Sequence, residues 1–328
     1  MKRVAHIIWG GVVALAMLLT GCVLGHDVTT NKPVELRCNP IMSQRTRTTN
    51  TDGKLLFNTF PTEADFGLWA YALPRDKQWE VFSPDAEPFV ENGRFLHNTT
   101  DGLWYPTPSL QWAYNQQLTI AACSPYIAGA SFDPENGVVI GNYDTEANPN
   151  EELLYSHLMT NRKAERSMSG VELYFYHALA KVDVRMKTTL TESRSLYVKS
   201  ITFKNIHTEG AFCSLPNPTW YPTEKLADVC IYSADDEGWP LPDNNNQIVG
   251  GDAARLVMPQ AMVTDIVVVA DVLRGGMIVP EVEFVVEKAT IIWEAGKYYT
   301  YTFSLTDSSL RLEGPMPESF KAEPQAWE

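Results

Sequence analysis

Chemistry in a chain of 328 residues needs titratable or nucleophilic groups at workable spacings, and few are present. Of six histidines, His6 falls within the first twenty-one residues, just ahead of an apolar run. His177 sits among apolar neighbours in Phe175-Tyr176-His177-Ala178-Leu179. General-base or triad chemistry requires a nucleophile and an orienting carboxylate close by, and no local motif supplies them, so His177 reads as a satisfied structural histidine. The sequence has no G-x-S-x-G elbow, phosphate-binding loop or H-E-x-x-H helix. Two acidic stretches, Asp144, Glu146, Glu151 and Glu152, then Asp235, Asp236 and Glu237, lack the oxygen spacing of a calcium loop and read as solvated loops. Cys38, Cys123, Cys213 and Cys230 show no C-x-x-C metal spacing. Three full disulfide pairings are open to them, and small buried apolar residues are the simpler reading. No catalytic residue, metal site or cofactor is expected.

Trp104, Trp112, Trp220, Trp239 and Trp327 lie in or near Pro-, Gly- or Asn-rich stretches. Tryptophans exposed there would stack on sugar rings, which defines an alternative role: a monomeric surface lipoprotein binding a glycan or host ligand. The plainer reading is that they cover the ends of sheets. The net charge of −14, with 26 Lys and Arg against 40 Asp and Glu, excludes a nucleic-acid partner.

Lys2 and Arg3 precede an apolar run from Ile7 to Leu19, too short to span a bilayer and arranged as a secretory signal peptide. It ends in Leu19-Thr20-Gly21-Cys22, which resembles a bacterial lipobox. That resemblance makes Cys22 the lipidated first residue of the mature chain and the outer membrane its anchorage.

The elements that position the rest are strands. Val34-Glu35-Leu36-Arg37-Cys38 has the period two of a half-buried strand, and a polar stretch with Arg45 and Arg47 follows as a protease-accessible loop. Further strands are read at 65–71, 117–123, 171–176, 182–187, 195–206, 282–286 and 299–305, with Ile266–Ala270 as a strand covered on both faces. Asn92-Gly93, Asn136-Gly137 and Gly275-Gly276 read as hairpin turns. Helical periodicity is scarce: 152–166 reads as one or two turns and 223–229 as another. Short strands with Gly, Pro and Asn punctuation predict an all-β chain of sandwich type. The polar break at 188–193 sets a boundary between an N-terminal β-sandwich domain (22–189) and a C-terminal one (190–328), behind a signal peptide at 1–21.

Phe175 to Val184, with its His-Ala-Leu-Ala-Lys-Val core, resembles a strand of the fimbrillin-like (Mfa-like) lipoproteins of Bacteroidales-type pili. So do Ile201 to Ile206, Val257-Met258-Pro259-Gln260, Trp293 to Tyr301 and the terminal Trp327. The resemblance implies two transthyretin-like antiparallel β-sandwich domains in tandem, and an outer-membrane, cell-surface fimbrial subunit of structural or adhesive role. Its partners would be other fimbrial subunits, with a host or bacterial surface as ligand. It also implies removal of an N-terminal strand by an arginine-specific protease and refilling of the gap by a neighbour's C-terminal segment. In this sequence Arg45 and Arg47 are the candidate cleavage positions, 22–47 the removable segment, and Val34, Leu36 and Cys38 its strand. Leu310, Leu312, Met316, Phe320 and Trp327 are the candidate anchors of the donor.

Overall fold

A computed structural model describes residues 33–42, 60–80, 85–164, 169–188, 196–234, 238–241, 247–248, 254–274, 276–305 and 309–314. Among them every regular element is a strand. The first seven are β1 (Val34–Glu35), β2 (Cys38–Met42), β3 (Phe66–Pro74), β4 (Glu87–Asn98), β5 (Leu103–Pro106), β6 (Gln111–Trp112) and β7 (Gln116–Ser124). Next come β8 (Ser131–Asp133), β9 (Gly137–Asp144), β10 (Leu154–Ser156), β11 (Met159–Lys163) and β12 (Val171–His177). The second half holds β13 (Ala180–Thr188), β14 (Leu196–His207), β15 (Glu209–Cys213), β16 (Thr219–Pro222), β17 (Leu226–Ser233) and β18 (Trp239–Pro240). It ends with β19 (Gln247–Ile248), β20 (Arg255–Val257), β21 (Gln260–Arg274), β22 (Met277–Trp293), β23 (Tyr298–Leu305) and β24 (Leu310–Gly314).

In the first half the strands run β10-β12-β2-β5-β4-β3-β7, and β10 also pairs with β7, so the sheet closes on itself. Inside lie Leu36, Cys38, Phe66, Leu68, Phe95, Leu118, Ile120, Leu173 and Phe175. Closure removes the open edges that a flat sheet would expose. In the second half, β19-β13-β23-β24 faces β17-β14-β21-β22 across a core that includes Val182, Val184, Phe203, Val268 and Phe303. The Trp293 indole N–H donates to the Tyr301 hydroxyl at 2.9 Å inside it.

Two pairs are parallel, β2 with β12 and β13 with β23, a departure from the purely antiparallel expectation. The change of sheet also comes earlier than the expected boundary at 188–193. Among the described residues β13 pairs only with β19, β20 and β23, so the chain passes from one sheet system to the other at Ala178–Leu179. A fourth sheet, β16-β15-β9-β8, mixes strands from both halves. Beneath it Val138, Ile140, Phe212, Trp220, Leu179 and Met258 pack with Trp69, Cys123 and Tyr155 from the outside of the closed sheet. One apolar layer therefore joins the halves.

Other expectations change for local reasons. The windows read as helical turns form β10, β11 and β17, because their apolar residues pair with neighbouring strands rather than with each other. Asn92-Gly93 lies inside β4 at an irregularity opposite Leu68 and Ala70. Its positive φ of 45° serves a bulge there, and Asn92 Nδ2 donates to the Ile127 carbonyl at 2.9 Å. Asn136-Gly137 is a turn, between β8 and β9, and Arg274 pairs with Met277 across Gly275-Gly276. Ile266–Ala270 is buried on one face only, with Val267 and Val269 half-buried outside. Asp183 is buried although its alternation points outward; it accepts from the Tyr298 hydroxyl at 2.6 Å.

His177 ends β12 within the layer that joins the halves, its Nδ1 3.7 Å from the Glu152 carboxylate. Burial holds the imidazole down to about 4, and nearby Lys181 acts in the same direction. Burial also pushes Glu152 up, so the carboxylate does little to favour a charged ring. The unfolded histidine, near its ordinary 6.5, takes up a proton first as pH falls, so stability present above 6.5 is lost between 6.5 and 4. Glu152 acts oppositely, its stabilising contribution being present at low pH and lost as pH rises above the ordinary carboxylate range. Replacing His177 by Gln isolates the histidine. The wild-type chain should lose about 2 kcal/mol relative to His177→Gln between pH 7 and pH 5, measured by urea unfolding at each pH.

Candidate functional site

The candidate site is the seat of the N-terminal arm, residues 33–42. The expected strand over Val34–Cys38 is broken in two, because its parts bond to different neighbours. β1 pairs with β6, Val34 opposite Trp112. The Leu36 amide then donates to the Leu110 carbonyl at 2.8 Å, and the Arg37 carbonyl accepts from the Val171 amide at 2.8 Å. From Cys38 the chain runs as β2, in register with Val171–Phe175 of β12 on one side. On the other side it pairs with β5 through one position, Cys38 opposite Trp104.

Alternation decides which side chains go inside. Leu36, Cys38, Pro40 and Met42 are all buried, while Arg37, Asn39 and Ile41 are only half-buried on the opposite face. Val34 packs at the margin of the same core. Leu36 and Met42 alone contribute roughly 1.5–3 kcal/mol each by burial, before ordering costs. Burial also pushes the Cys38 thiol far up, which makes it an inert apolar group rather than a nucleophile. Loss of β2 would open the ring between β12 and β5 and leave a trough floored by Phe66, Phe95 and Phe175, with unpaired backbone groups along β12.

The other expected site residues fall as follows. Cys22, Arg45, Arg47, Met316, Phe320 and Trp327 lie outside the described residues. Leu310 and Leu312 belong to β24, which pairs with the chain's own β23, Leu312 opposite Phe303 and Leu310 opposite Leu305. They complete their own sheet. Trp104 and Trp112 are buried around the arm's seat, and Trp220 is buried in the layer joining the halves, its indole N–H bonded to the Ala178 carbonyl at 2.8 Å. Sugar stacking on Trp104 or Trp220 therefore has no exposed ring face to use. Cys38 and Cys123 are buried, Cys230 is exposed, and all four described cysteines are free thiols. Of the acidic residues, Asp144 pairs with Lys225 and Glu146 with Arg255, while 235–237 lie outside the described residues.

A family model described as fimbrillin-like matches residues 46–316. No curated protein matches the sequence. Among solved structures, a candidate cell adhesion protein from Bacteroides ovatus superposes with a TM-score of 0.54 at 14% identity, covering 90% of this chain and 98% of its own. A fimbrial protein from Bacteroides vulgatus gives 0.54 at 13% identity, covering 85% and 98%. A candidate cell adhesion protein from Bacteroides uniformis gives 0.51 at 14%, covering 85% and 96%. At such identities the likeness is one of fold.

The arm's grip is measurable without removing it. Leu36→Ala should cost about 2–4 kcal/mol of arm docking. Labelling of Cys38 by a thiol reagent under native conditions should accelerate more than roughly tenfold, with Cys123 unchanged. Equal acceleration at both, read by mass spectrometry of the labelled peptides, would mean that the arm does not move independently.

Proposed function

The chain belongs to the fimbrillin-like family, and from that premise we propose that it is a non-catalytic structural subunit of a surface pilus, assembled with other fimbrial subunits by exchange of a strand. The observation that carries this reading is the position of β2. It is the first described segment of the sheet in sequence, it closes the ring, and one five-residue parallel ladder plus one pairing position hold it. A strand of that kind is separable from the rest of its core, and its inward residues define the pockets that a replacement must fill.

On this reading the signal peptide ends before Cys22, a lipid on Cys22 ties the exported precursor to the outer membrane, and a cut after Arg45 or Arg47 frees the arm. The C-terminal segment of a neighbour then supplies the missing strand. Among the described residues β24 is an edge strand, paired on one side only, and in sequence it precedes Met316, Phe320 and Trp327. Those three are the proposed anchors, with Leu310 and Leu312 remaining in their own sheet. Pro315, Pro317 and Pro324 limit the ladder such a donor forms, so its hold must come chiefly from side-chain burial.

Treatment of the purified precursor with an arginine-specific protease should cut at Arg45 or Arg47 and convert monomers into oligomers, followed by mass spectrometry and light scattering. The double variant Arg45→Gln, Arg47→Gln should stay uncut and monomeric. Clean trimming with no change in mass distribution would remove strand exchange as the mode of assembly.

A further inference from the structure

The place that β2 fills prescribes its occupant residue by residue. Leu36, Cys38, Pro40 and Met42 are buried, so the arm offers the core a large side chain, a small one, a proline and a large one at alternate positions. The Arg37 carbonyl accepts from the Val171 amide. Arg37, Asn39 and Ile41 therefore turn their backbone groups toward β12, and Cys38, Pro40 and Met42 turn theirs toward β5. Pro40 has no N–H, and the missing donor falls on the β5 side, where pairing is confined to Cys38. Proline at this position costs the β12 ladder nothing. On the outward face Arg37 is engaged with Tyr105 of β5 and with Asp101 just before it, while Asn39 lies opposite Glu172.

The sequence beyond β24 repeats this pattern. Leu36-Arg37-Cys38-Asn39-Pro40-Ile41-Met42 and Phe320-Lys321-Ala322-Glu323-Pro324-Gln325-Ala326 share, in the same order, a large apolar residue, a cation, a small residue, a polar residue and a proline. Neighbouring registers that keep the same residues facing inward do not fit. Two or four residues earlier, Glu318 falls at the place of Leu36 or Cys38, which puts a carboxylate without a partner into an apolar core. Two residues later, no large apolar side chain enters.

We infer that the arm's replacement is residues 320–326 of a second copy of this chain, running in the arm's own direction, with Phe320 in the place of Leu36, Ala322 in that of Cys38 and Pro324 in that of Pro40. The subunit thus assembles with itself, a choice of partner that rests on the strand exchange proposed above. Lys321 takes over the Asp101 carboxylate from Arg37. Ala326 fills less of the core than Met42, so the hold concentrates at Phe320. Glu323 takes the place of Asn39 opposite Glu172, and that like-charged pair weakens the joint.

Grafting tests the fit without any cleavage. The full chain with residues 320–326 in place of 36–42 carries Leu36→Phe, Arg37→Lys, Cys38→Ala, Asn39→Glu, Ile41→Gln and Met42→Ala. It should fold and keep native hydrogen-exchange protection of the β12 amides. A graft of 316–322 at the same place buries Glu318 and should lose that protection about tenfold or more. Equal protection in the two folded grafts, or loss in both, overturns the register. In chains cut after Arg45 or Arg47, Phe320→Ala should raise the dissociation rate of the oligomers about a hundredfold, and Glu323→Gln should lower it about twofold. These rates decide the matter if the grafts do not fold. Oligomers indifferent to both changes overturn this donor and leave strand exchange to another segment. A cut chain that releases its arm and stays monomeric overturns the second copy as partner and strand exchange with it, while the grafts still decide the register.

Discussion

A single short parallel ladder, β2 along β12, closes the first half of this molecule. Parallel pairs are slightly less stable per residue than antiparallel ones and demand a long connection, and here that connection is the whole ring from β3 to β11. The ladder's register is fixed because Leu36, Cys38, Pro40 and Met42 must all face inward together; a slip of one residue would turn Arg37, Asn39 and Ile41 into the core. On the proposed strand exchange, the same pattern defines the replacement. Any extended chain with apolar residues at alternate positions meets the same backbone groups and the same pockets, so the constraint that seals the fold also states what a substitute must look like.

The two sheet systems are not independent beads. The apolar layer around Phe212, Trp220 and Met258 takes Trp69 and Tyr155 from outside the ring and Leu179 from the crossing point of the chain. His177 sits at that crossing with the carboxylate of Glu152 within 3.7 Å, and the Trp220 indole is bonded to the next carbonyl, that of Ala178. Among the polar groups buried near this layer, the Thr145 hydroxyl donates to the Thr208 carbonyl and the Ser214 hydroxyl accepts from the Val138 amide. The ring and the sheet that carries β24 therefore meet through packed side chains.

Period two made most of the fold legible. Val182, Val184, Met186, Leu196, Val198, Ile201, Phe203, Tyr301 and Phe303 all face the core as their alternation requires. What was not legible has a common cause, namely partners distant in sequence. Asn92-Gly93 carries the backbone freedom of a turn but spends it on a bulge against β3, and only the position of the Ile127 carbonyl explains why. Asp183 reads as an outward residue until Tyr298 arrives from 115 positions away. The break between β1 and β2 depends on Leu110 and Val171. At the candidate site, the inward side chains Leu36 and Cys38 are visible in the arm's alternation.

An alternative route to assembly would be pairing of exposed sheet edges, and β22 is the longest candidate, at the end of its sheet over 17 residues. Its details oppose that use. The apolar start at Met277 and Ile278 is followed at once by Pro280, which has no N–H to donate. Glu281 and Lys288 then adopt positive φ, and their amides turn back to the carboxylates of Asp271 and Asp265. Each such bulge removes a donor from the free edge and bends the strand away from a flat partner, while Glu281, Glu283 and Glu287 place like charges where a second copy of the same edge would lie. The long edge is therefore guarded, whereas β2 lies over the buried aromatic side chains Phe66, Phe95 and Phe175. Compared with the β22 edge, the seat of β2 is the surface that the proposed strand exchange would use.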